Sequence, residues 1–191
     1  MVAVIGMCLG VAVPAMQSLE ERRFRWVREQ EYDHSCGVSA VSSLVAFYWN
    51  LDVSEGDLIT IVENNTAEND GEISLLDLSK LLSSLEFSTR GFRVTYEVLL
   101  EAAERYGPLI VHLNEGAGHF VLVIGESAGQ PIVGDPSDGA AVWPVRTFAR
   151  SWSGTALVAS LSGSVLDRSA VAAAVGDLQH RQAVLIKWGT R

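Results

Sequence analysis

The apolar residues in the first half of the chain recur at helical spacing. Between residues 36 and 49, in the stretch CGVSAVSSLVAFYW, large apolar side chains return every three or four positions, at Val38, Val41, Leu44, Val45 and Tyr48. This period is typical of an amphipathic helix, and Ser35 is a residue type that caps helix N-termini. The pattern therefore predicts a helix that begins at Cys36.

Three more helices are predicted before residue 108. Residues 54–65 and residues 74–87 each open with a serine that is followed three positions later by an aspartate, which is typical of a capping box. Residues 95–107 carry an apolar face and end at Gly107, a residue type that commonly terminates helices.

The pattern changes after residue 107. Short runs rich in β-branched residues are separated by glycine, proline, serine and asparagine, and they occupy residues 108–114, 119–125, 130–135 and 155–161. Such runs predict an antiparallel sheet. Helices first and strands second indicate an α+β fold, in which we expect the N-terminal helices to pack on one side of a C-terminal antiparallel sheet.

Length and composition predict one folded domain. The chain has 191 residues, of which 48% are hydrophobic, and this suits a single compact unit with a sizeable core. We place the domain at residues 24–160 and expect residues 161–191 to form a peripheral, helical C-terminal extension.

The first 16 residues carry no charged side chain, and we expect them to be a signal peptide or a membrane-associated leader. The residues VPA are compatible with cleavage after Ala15. At about 1.5 Å per residue the run spans roughly 24 Å, which is short for a hydrocarbon core of roughly 30 Å. We therefore expect export to the periplasm or the extracellular space, with a cytoplasmic or membrane-associated location as the alternative.

Charge and motifs exclude several function classes. The chain has 14 basic and 23 acidic residues and a formal net charge of -9, which opposes binding to nucleic acid. It has no phosphate-binding Gly-x-x-x-x-Gly-Lys-Ser/Thr motif and no zinc-ligand spacing, so we expect no ATP, metal or other cofactor. Of the two cysteines, Cys8 lies in the apolar leader, so Cys36 is expected to be the single thiol of the folded domain.

The position of Cys36 suggests nucleophilic chemistry. A cysteine in the first turn of a helix lies at the positive end of the helix dipole, which stabilises the thiolate. Its own amide N–H could stabilise an oxyanion, and Gly37 leaves room for a substrate backbone. The structural alternative is a small buried hydrophobic residue.

His119 and Asp135 are the predicted partners of this thiolate. His119 begins the strand 119–125, and a hairpin centred near Ala128 would place it opposite position 137, with Asp135 as a near neighbour. Such a carboxylate could orient the ring and stabilise the imidazolium. Asp135 could instead simply open a turn.

Gln30 is predicted to provide the second oxyanion donor. A short loop between Gln30 and Cys36 could fold back and place the side-chain amide beside the amide of Cys36. The remaining histidines are weaker candidates: we expect His34 to line a cleft, His112 to be a partly buried strand residue and His180 to belong to the C-terminal extension.

These motifs together resemble those of a known family. QEYDHSCG at residues 30–37, GHFVLVIG at residues 118–125 and VGDPSDG at residues 133–139 resemble the papain-like cysteine peptidases that process bacteriocin precursors at double-glycine leaders. The resemblance runs from about Val27 to Ser160 and implies a papain-like peptidase fold. It further implies Cys36 as the nucleophile, His119 as the base, Asp135 as the orienting carboxylate and Gln30 as the oxyanion-hole residue. Because this sequence shows no transporter or ATPase module after the matching region, we expect a free-standing member.

We therefore predict a cysteine peptidase that forms a thioester and cleaves a leader or precursor peptide, after a Gly-Gly-type site by the resemblance. Two alternatives remain open. The same site could transfer the acyl group to an amine, or the protein could be a non-catalytic peptide-binding or assembly factor.

Overall fold

The computed structural model describes residues 18–65, 73–114, 116 and 118–189 of the chain. The predicted leader at residues 1–16 and its Cys8 lie outside these residues. In chain order, the described helices and strands are α1 (Leu19–Arg23), α2 (Cys36–Trp49), α3 (Glu55–Asn65), α4 (Leu75–Ser84), β1 (Phe87–Arg93), α5 (Tyr96–Tyr106), β2 (Leu109–Leu113), β3 (His119–Ser127), β4 (Gln130–Asp135), β5 (Gly139–Val142), α6 (Val145–Ser151), β6 (Trp152–Leu161) and α7 (Arg168–Gly189).

The four helices predicted from the first half of the chain are present. A capping box holds the start of α4, because the Ser74 side chain accepts from the Asp77 amide and the Asp77 carboxylate accepts from the Ser74 amide. Ahead of α3, the Ser54 hydroxyl accepts a hydrogen bond from the Asp57 amide. α5 begins after Thr95, which caps it, and ends before Gly107.

The third predicted helix ends earlier than its apolar pattern indicates. α4 stops at Ser84, and Glu86 has a left-handed backbone conformation, with φ of 66°, that a continuing helix cannot accommodate. Phe87 then opens β1, where its ring packs edge-on against Trp49 with the ring centroids 5.4 Å apart. Tertiary packing of this aromatic residue therefore replaces the last helical turn with a strand.

The described strands form one antiparallel sheet in the order β1-β6-β2-β3-β4-β5. Ala128 and Gly129, both at positive φ, make the tight turn between β3 and β4, as expected for a two-residue hairpin. α1, β1, β5 and α6 are elements that the sequence pattern did not reveal.

Helices cover both faces of the sheet, which corrects the expectation that they lie on one side. Ile110, Phe120 and Leu122 belong to a core cluster shared with α2, α3, α4 and α7. The neighbouring strand residues Val111 and Val121 point the other way, into a second cluster with α5 and α6. Because both faces are buried, the central strands are apolar at consecutive positions.

α7 lies in the region expected to be a peripheral extension, and it packs on the main core. Its Ala174 and Leu178 are buried in the same cluster as α2. Polar contacts join it to the start of the domain: Trp26 Nε1 donates to Asp177 Oδ2 at 2.7 Å, and Arg181 donates to the main-chain oxygen of Arg22. The boundaries proposed for the domain and its extension stay predictions.

Within the residues that the structure describes, no helix has the length and apolar character that crossing a bilayer requires.

We predict that α7 contributes to the stability of the domain. Leu178 is 2% exposed and Leu185, on the same helix, is 73% exposed. Leu178→Ala should lower the free energy of unfolding by about 2–4 kcal/mol, since it leaves a cavity in the core, whereas Leu185→Ala should change it by less than about 0.5 kcal/mol. Chemical denaturation of both variants tests this, and equal stability of the two would contradict the packing of α7.

Candidate active site

Cys36 lies at the start of α2 with its sulfur surrounded by hydrogen-bond donors. The preceding Ser35 does not cap the helix through its side chain; its hydroxyl donates instead to the Tyr32 carbonyl at 2.7 Å. The thiol is largely buried, and it receives hydrogen bonds from the amides of Gly37 and Phe120. These donors at the positive end of a helix favour the thiolate.

His119 and Asp135 meet across β3 and β4. His119 Nε2 lies 2.8 Å from Asp135 Oδ1, and the carboxylate side chain is only 4% exposed. Leu122 pairs with Gly134 in the hairpin, which is the register predicted near this end. The imidazole also hydrogen-bonds the Cys36 side chain, so thiol, imidazole and carboxylate are joined by hydrogen bonds.

The electrostatics of the site favour a thiolate paired with an imidazolium. Burial by itself raises the pKa of Cys36, but the hydrogen bond and charge of His119 and the amides of Phe120 and Gly37 lower it, and the net direction is down. Burial by itself lowers the pKa of His119, but its bonds and charge interactions with Asp135 and Cys36 raise it to about 10. Both shifts favour the state with the negative charge on sulfur and the proton on the ring.

Gln30 lies in the loop that leads into α2 and is tied to the turn after β4. Its main-chain N–H donates to the Pro136 carbonyl at 2.9 Å. Its side-chain Oε1 accepts from Ser137 Oγ at 2.9 Å, and its Nε2 donates to the Tyr32 carbonyl at 3.2 Å. These contacts fasten Gln30 to the turn after β4 and to the Tyr32 carbonyl, which also accepts from Ser35, the residue before Cys36. The oxyanion role of Gln30 stays a prediction.

A buried carboxylate holds the same loop from the opposite side. Glu55, 4% exposed at the start of α3, accepts from the amide of Glu31 through both of its side-chain oxygens, at 3.3 and 3.2 Å. The loop between Gln30 and Cys36 is therefore fastened to α3 as well as to the turn after β4.

The role expected for Gly37 is wrong in its structural detail. A Cβ atom at this position would lie 3.1 Å from side-chain atoms of both Leu78 and Phe120. The space beside Gly37 is thus filled by the chain's own core, and glycine allows α2 to approach α4 and β3. It does not provide an open path for a substrate backbone.

The other three histidines have different surroundings from His119. His34 is exposed and adopts a left-handed backbone conformation, with φ of 67°, where the loop turns into α2. His112 is half-buried and packs on the Phe120 ring with the centroids 5.1 Å apart. Burial, together with the charge of His119, lowers the pKa of His112. His180 is exposed on α7.

Among the contacts that were not recognised in the sequence, one is made to Cys36 and one to Asp135. The donation from the Phe120 amide to the sulfur is a main-chain contact, so no side-chain pattern could have revealed it. The amide of Ser137 donates to Asp135 Oδ1 at 2.8 Å. The residues Asp-Pro-Ser carry a signal for this second contact, because an aspartate commonly accepts from the amide two residues later in a turn.

The chain is similar to known peptidases in sequence and fold. A family profile described as "Peptidase C39 family" matches residues 24–163. The protein named "Probable functional amyloid protease FapD" from Pseudomonas aeruginosa is 28% identical over 166 residues, which cover 83% of this chain and 70% of that protein. A protein of the same name from Pseudomonas fluorescens is 27% identical over 159 residues, covering 81% and 68%.

Solved structures show the same fold. The peptidase domain of Streptococcus ComA, a bi-functional ABC transporter involved in quorum sensing, matches with a TM-score of 0.62 at 22% identity, over 71% of this chain and 98% of that domain. A double glycine motif protease from an AMS/PCAT transporter, solved in complex with its leader peptide, matches with a TM-score of 0.55 at 22% identity, over 71% and 91%.

The first prediction from this geometry concerns the reactivity of Cys36. An unperturbed thiol with a pKa of about 8.5 is less than about 1% ionised at pH 6, whereas the lowered pKa of Cys36 and the raised pKa of His119 both favour the thiolate–imidazolium pair. Iodoacetamide should therefore alkylate Cys36 rapidly at pH 6, and His119→Ala should slow the reaction at least tenfold, by a rough estimate from the lost ionisation. Mass spectrometry of the labelled residue measures both rates, with His180→Ala as the matched control; equal rates for wild type and His119→Ala would contradict the pairing.

The second prediction concerns Asp135. Asp135→Asn removes the negative charge that raises the pKa of His119, so alkylation of Cys36 should shift to higher pH by on the order of one unit. Asp138→Asn is the matched control, because this carboxylate lies in the same turn with its side chain 79% exposed. The pH profile of Cys36 alkylation is measured for wild type and for both variants. Coinciding profiles for Asp135→Asn and wild type would exclude the orienting role.

Proposed function

The chain belongs to the Peptidase C39 family, and on that premise we propose that it is a cysteine peptidase that cleaves a leader or precursor peptide after a Gly-Gly-type site. The observation that carries the proposal is the continuous chain of hydrogen bonds from Cys36 through His119 to Asp135. Nucleophile, base and orienting carboxylate are the three groups that cysteine hydrolases bring together.

The first half of the proposed reaction forms a thioester. The Cys36 thiolate attacks the peptide carbonyl carbon, and the carbonyl electron pair moves onto oxygen. The side-chain amide of Gln30 and the amide of Cys36 stabilise this oxyanion. His119 then donates its proton to the leaving amine as the carbon–nitrogen bond breaks, while Asp135 stabilises the charged ring until the proton leaves.

The second half hydrolyses the thioester. His119, now neutral, takes a proton from water, and the resulting hydroxide equivalent attacks the thioester carbonyl. Collapse of this second oxyanion breaks the carbon–sulfur bond, releases the carboxylic acid and restores the thiolate. The imidazolium is also restored, so the cycle closes without a cofactor.

Two kinds of relative support the choice of substrate. The double glycine motif protease with its leader peptide supports a Gly-Gly site, as in bacteriocin processing. The two proteins named functional amyloid proteases support a second candidate, in which the substrate is a protein of an amyloid assembly.

We further propose that the protein is exported, on the basis of its uncharged residues 1–16. Cell fractionation tests that location.

We predict that the purified protein cleaves peptides that contain Gly-Gly and that Cys36→Ala does not. In a peptide library read by mass spectrometry, wild type should release fragments that end in Gly-Gly, and replacing the pair by Val-Val should lower kcat/KM at least tenfold, a rough estimate from the side-chain volume added in a close site. Equal cleavage by wild type and Cys36→Ala would exclude the proposal.

The same assay separates the alternatives. A product that incorporates an added amine would identify acyl transfer. Binding of the peptide without any cleavage, together with slow alkylation of Cys36, would identify a non-catalytic binding protein. Cleavage of an amyloid-forming protein at sites without Gly-Gly would favour the second substrate class.

A further inference from the structure

One residue of the turn between β4 and β5 contacts both Asp135 and Gln30. The amide of Ser137 donates to Asp135 Oδ1 at 2.8 Å, and its hydroxyl donates to Gln30 Oε1 at 2.9 Å. The group that orients His119 is therefore joined through Ser137 to the group proposed to bind the oxyanion.

The contacts of Gln30 determine which end of its amide faces the catalytic cysteine. The Tyr32 carbonyl can only accept hydrogen bonds, and three donors converge on it: Gln30 Nε2 at 3.2 Å, Ser35 Oγ at 2.7 Å and the Ser35 amide at 3.3 Å. The nitrogen end of the Gln30 amide is therefore beside Ser35, the residue directly before Cys36. The oxygen end faces Ser137.

We propose that Ser137 is a positioning residue that holds the Gln30 amide in the orientation that binds the oxyanion, an inference that rests on the proposed function. The primary amide has two N–H donors, of which one goes to Tyr32 and the other remains for the substrate. The Ser137 hydroxyl holds the opposite end and so prevents the amide from rotating about its last side-chain bond, where the rotational preference is weak.

The two contacts of Ser137 can be separated by substitution. Its contact with Asp135 uses the main-chain amide, which every non-proline residue keeps, whereas its contact with Gln30 uses the side-chain hydroxyl. The main chain of Gln30 is held independently, by its bond to the Pro136 carbonyl. Ser137→Ala should therefore release the Gln30 side chain and leave both the loop and the Cys36, His119 and Asp135 chain in place.

The test uses two probes that react with Cys36. One binds reversibly and needs an oxyanion hole, and the other alkylates the sulfur and needs no oxyanion hole. A short peptide aldehyde that ends in Gly-glycinal adds to Cys36: the sulfur–carbon bond forms and the carbonyl electron pair becomes a lone pair on oxygen, in the position of the oxyanion. Iodoacetamide alkylates the same sulfur, loses iodide and forms no oxyanion. Aldehyde affinity therefore reports on Gln30, and the alkylation rate at pH 6 reports on the ion pair.

Ser137→Ala is expected to weaken aldehyde binding by about tenfold, the range for one hydrogen bond to a developing charge, and to leave the alkylation rate unchanged. Ser137→Thr keeps the hydroxyl and should restore the affinity. In the Gln30→Ala background, Ser137→Ala should cause no further loss of aldehyde affinity, because both substitutions act through the same Gln30 donor. Ser162→Ala, at an exposed serine in the turn after β6, is the control and should match wild type.

Four results would overturn the inference. These are unchanged aldehyde affinity in Ser137→Ala, no recovery in Ser137→Thr, an additive loss in the Gln30→Ala background, or a fall in the alkylation rate equal to the fall in affinity. The last of these would mean that Ser137 acts through Asp135 or through the fold.

The readout also separates this inference from the proposed function. If wild type binds the aldehyde but cleaves no peptide, the peptidase proposal is refuted. The positioning role of Ser137 is then still tested by the aldehyde affinity of its variants. A wild type that is alkylated rapidly but does not bind the aldehyde has no oxyanion hole at Gln30, and it would refute the positioning role as well.

Discussion

The hydrogen bond between His119 and the buried carboxylate of Asp135 is the interaction on which the site depends. Burial alone would leave the imidazole neutral and the Cys36 thiol protonated, because both charged forms lose water. The hydrogen bonds and charges of Asp135 and Cys36 together reverse this for the ring and raise its pKa to about 10. The charged ring then stabilises the thiolate, so an acidic side chain that does not contact the sulfur nonetheless controls its ionisation.

The turn that follows Asp135 connects this pair to the rest of the domain. Pro136 and Ser137 hold Gln30, and the main-chain oxygen of Asp138 accepts two hydrogen bonds from the Arg23 guanidinium, at 2.9 and 2.6 Å. At Gly139, with φ of 88°, a Cβ atom would lie 2.8 Å from the main-chain oxygen of Arg23. The turn can therefore pack closely on the segment that leads to Gln30 only because glycine occupies this position.

α7 extends this network beyond the region that the family profile matches, which ends at residue 163. Arg181 and Asp177 hold Arg22 and Trp26, at the start of the same segment. Identity with the matched structures is only 22%, yet the fold is retained.

The sequence by itself determined those parts of the protein that local interactions control. The helix beginning at Cys36, the capped starts of α4 and α5 and the β3–β4 hairpin follow from residue period, caps and turn residues within a few positions of each other. The candidate residues Gln30, Cys36, His119 and Asp135 could be named because their order and spacing resemble a family pattern.

Only the tertiary structure decided what depends on contacts between distant segments. The helical apolar pattern of residues 74–87 did not show that Phe87 leaves the helix to pack on Trp49, and the strand pattern did not show that α5 and α6 cover the second face of the sheet. The sequence also did not show that Leu78 and Phe120 fill the space beside Gly37. It did not show that Ser137 contacts Gln30, which lies 107 positions away in the chain. These contacts form only once the chain is folded, since the energy that selects them comes from packing and hydrogen bonding between residues that no local period or spacing relates.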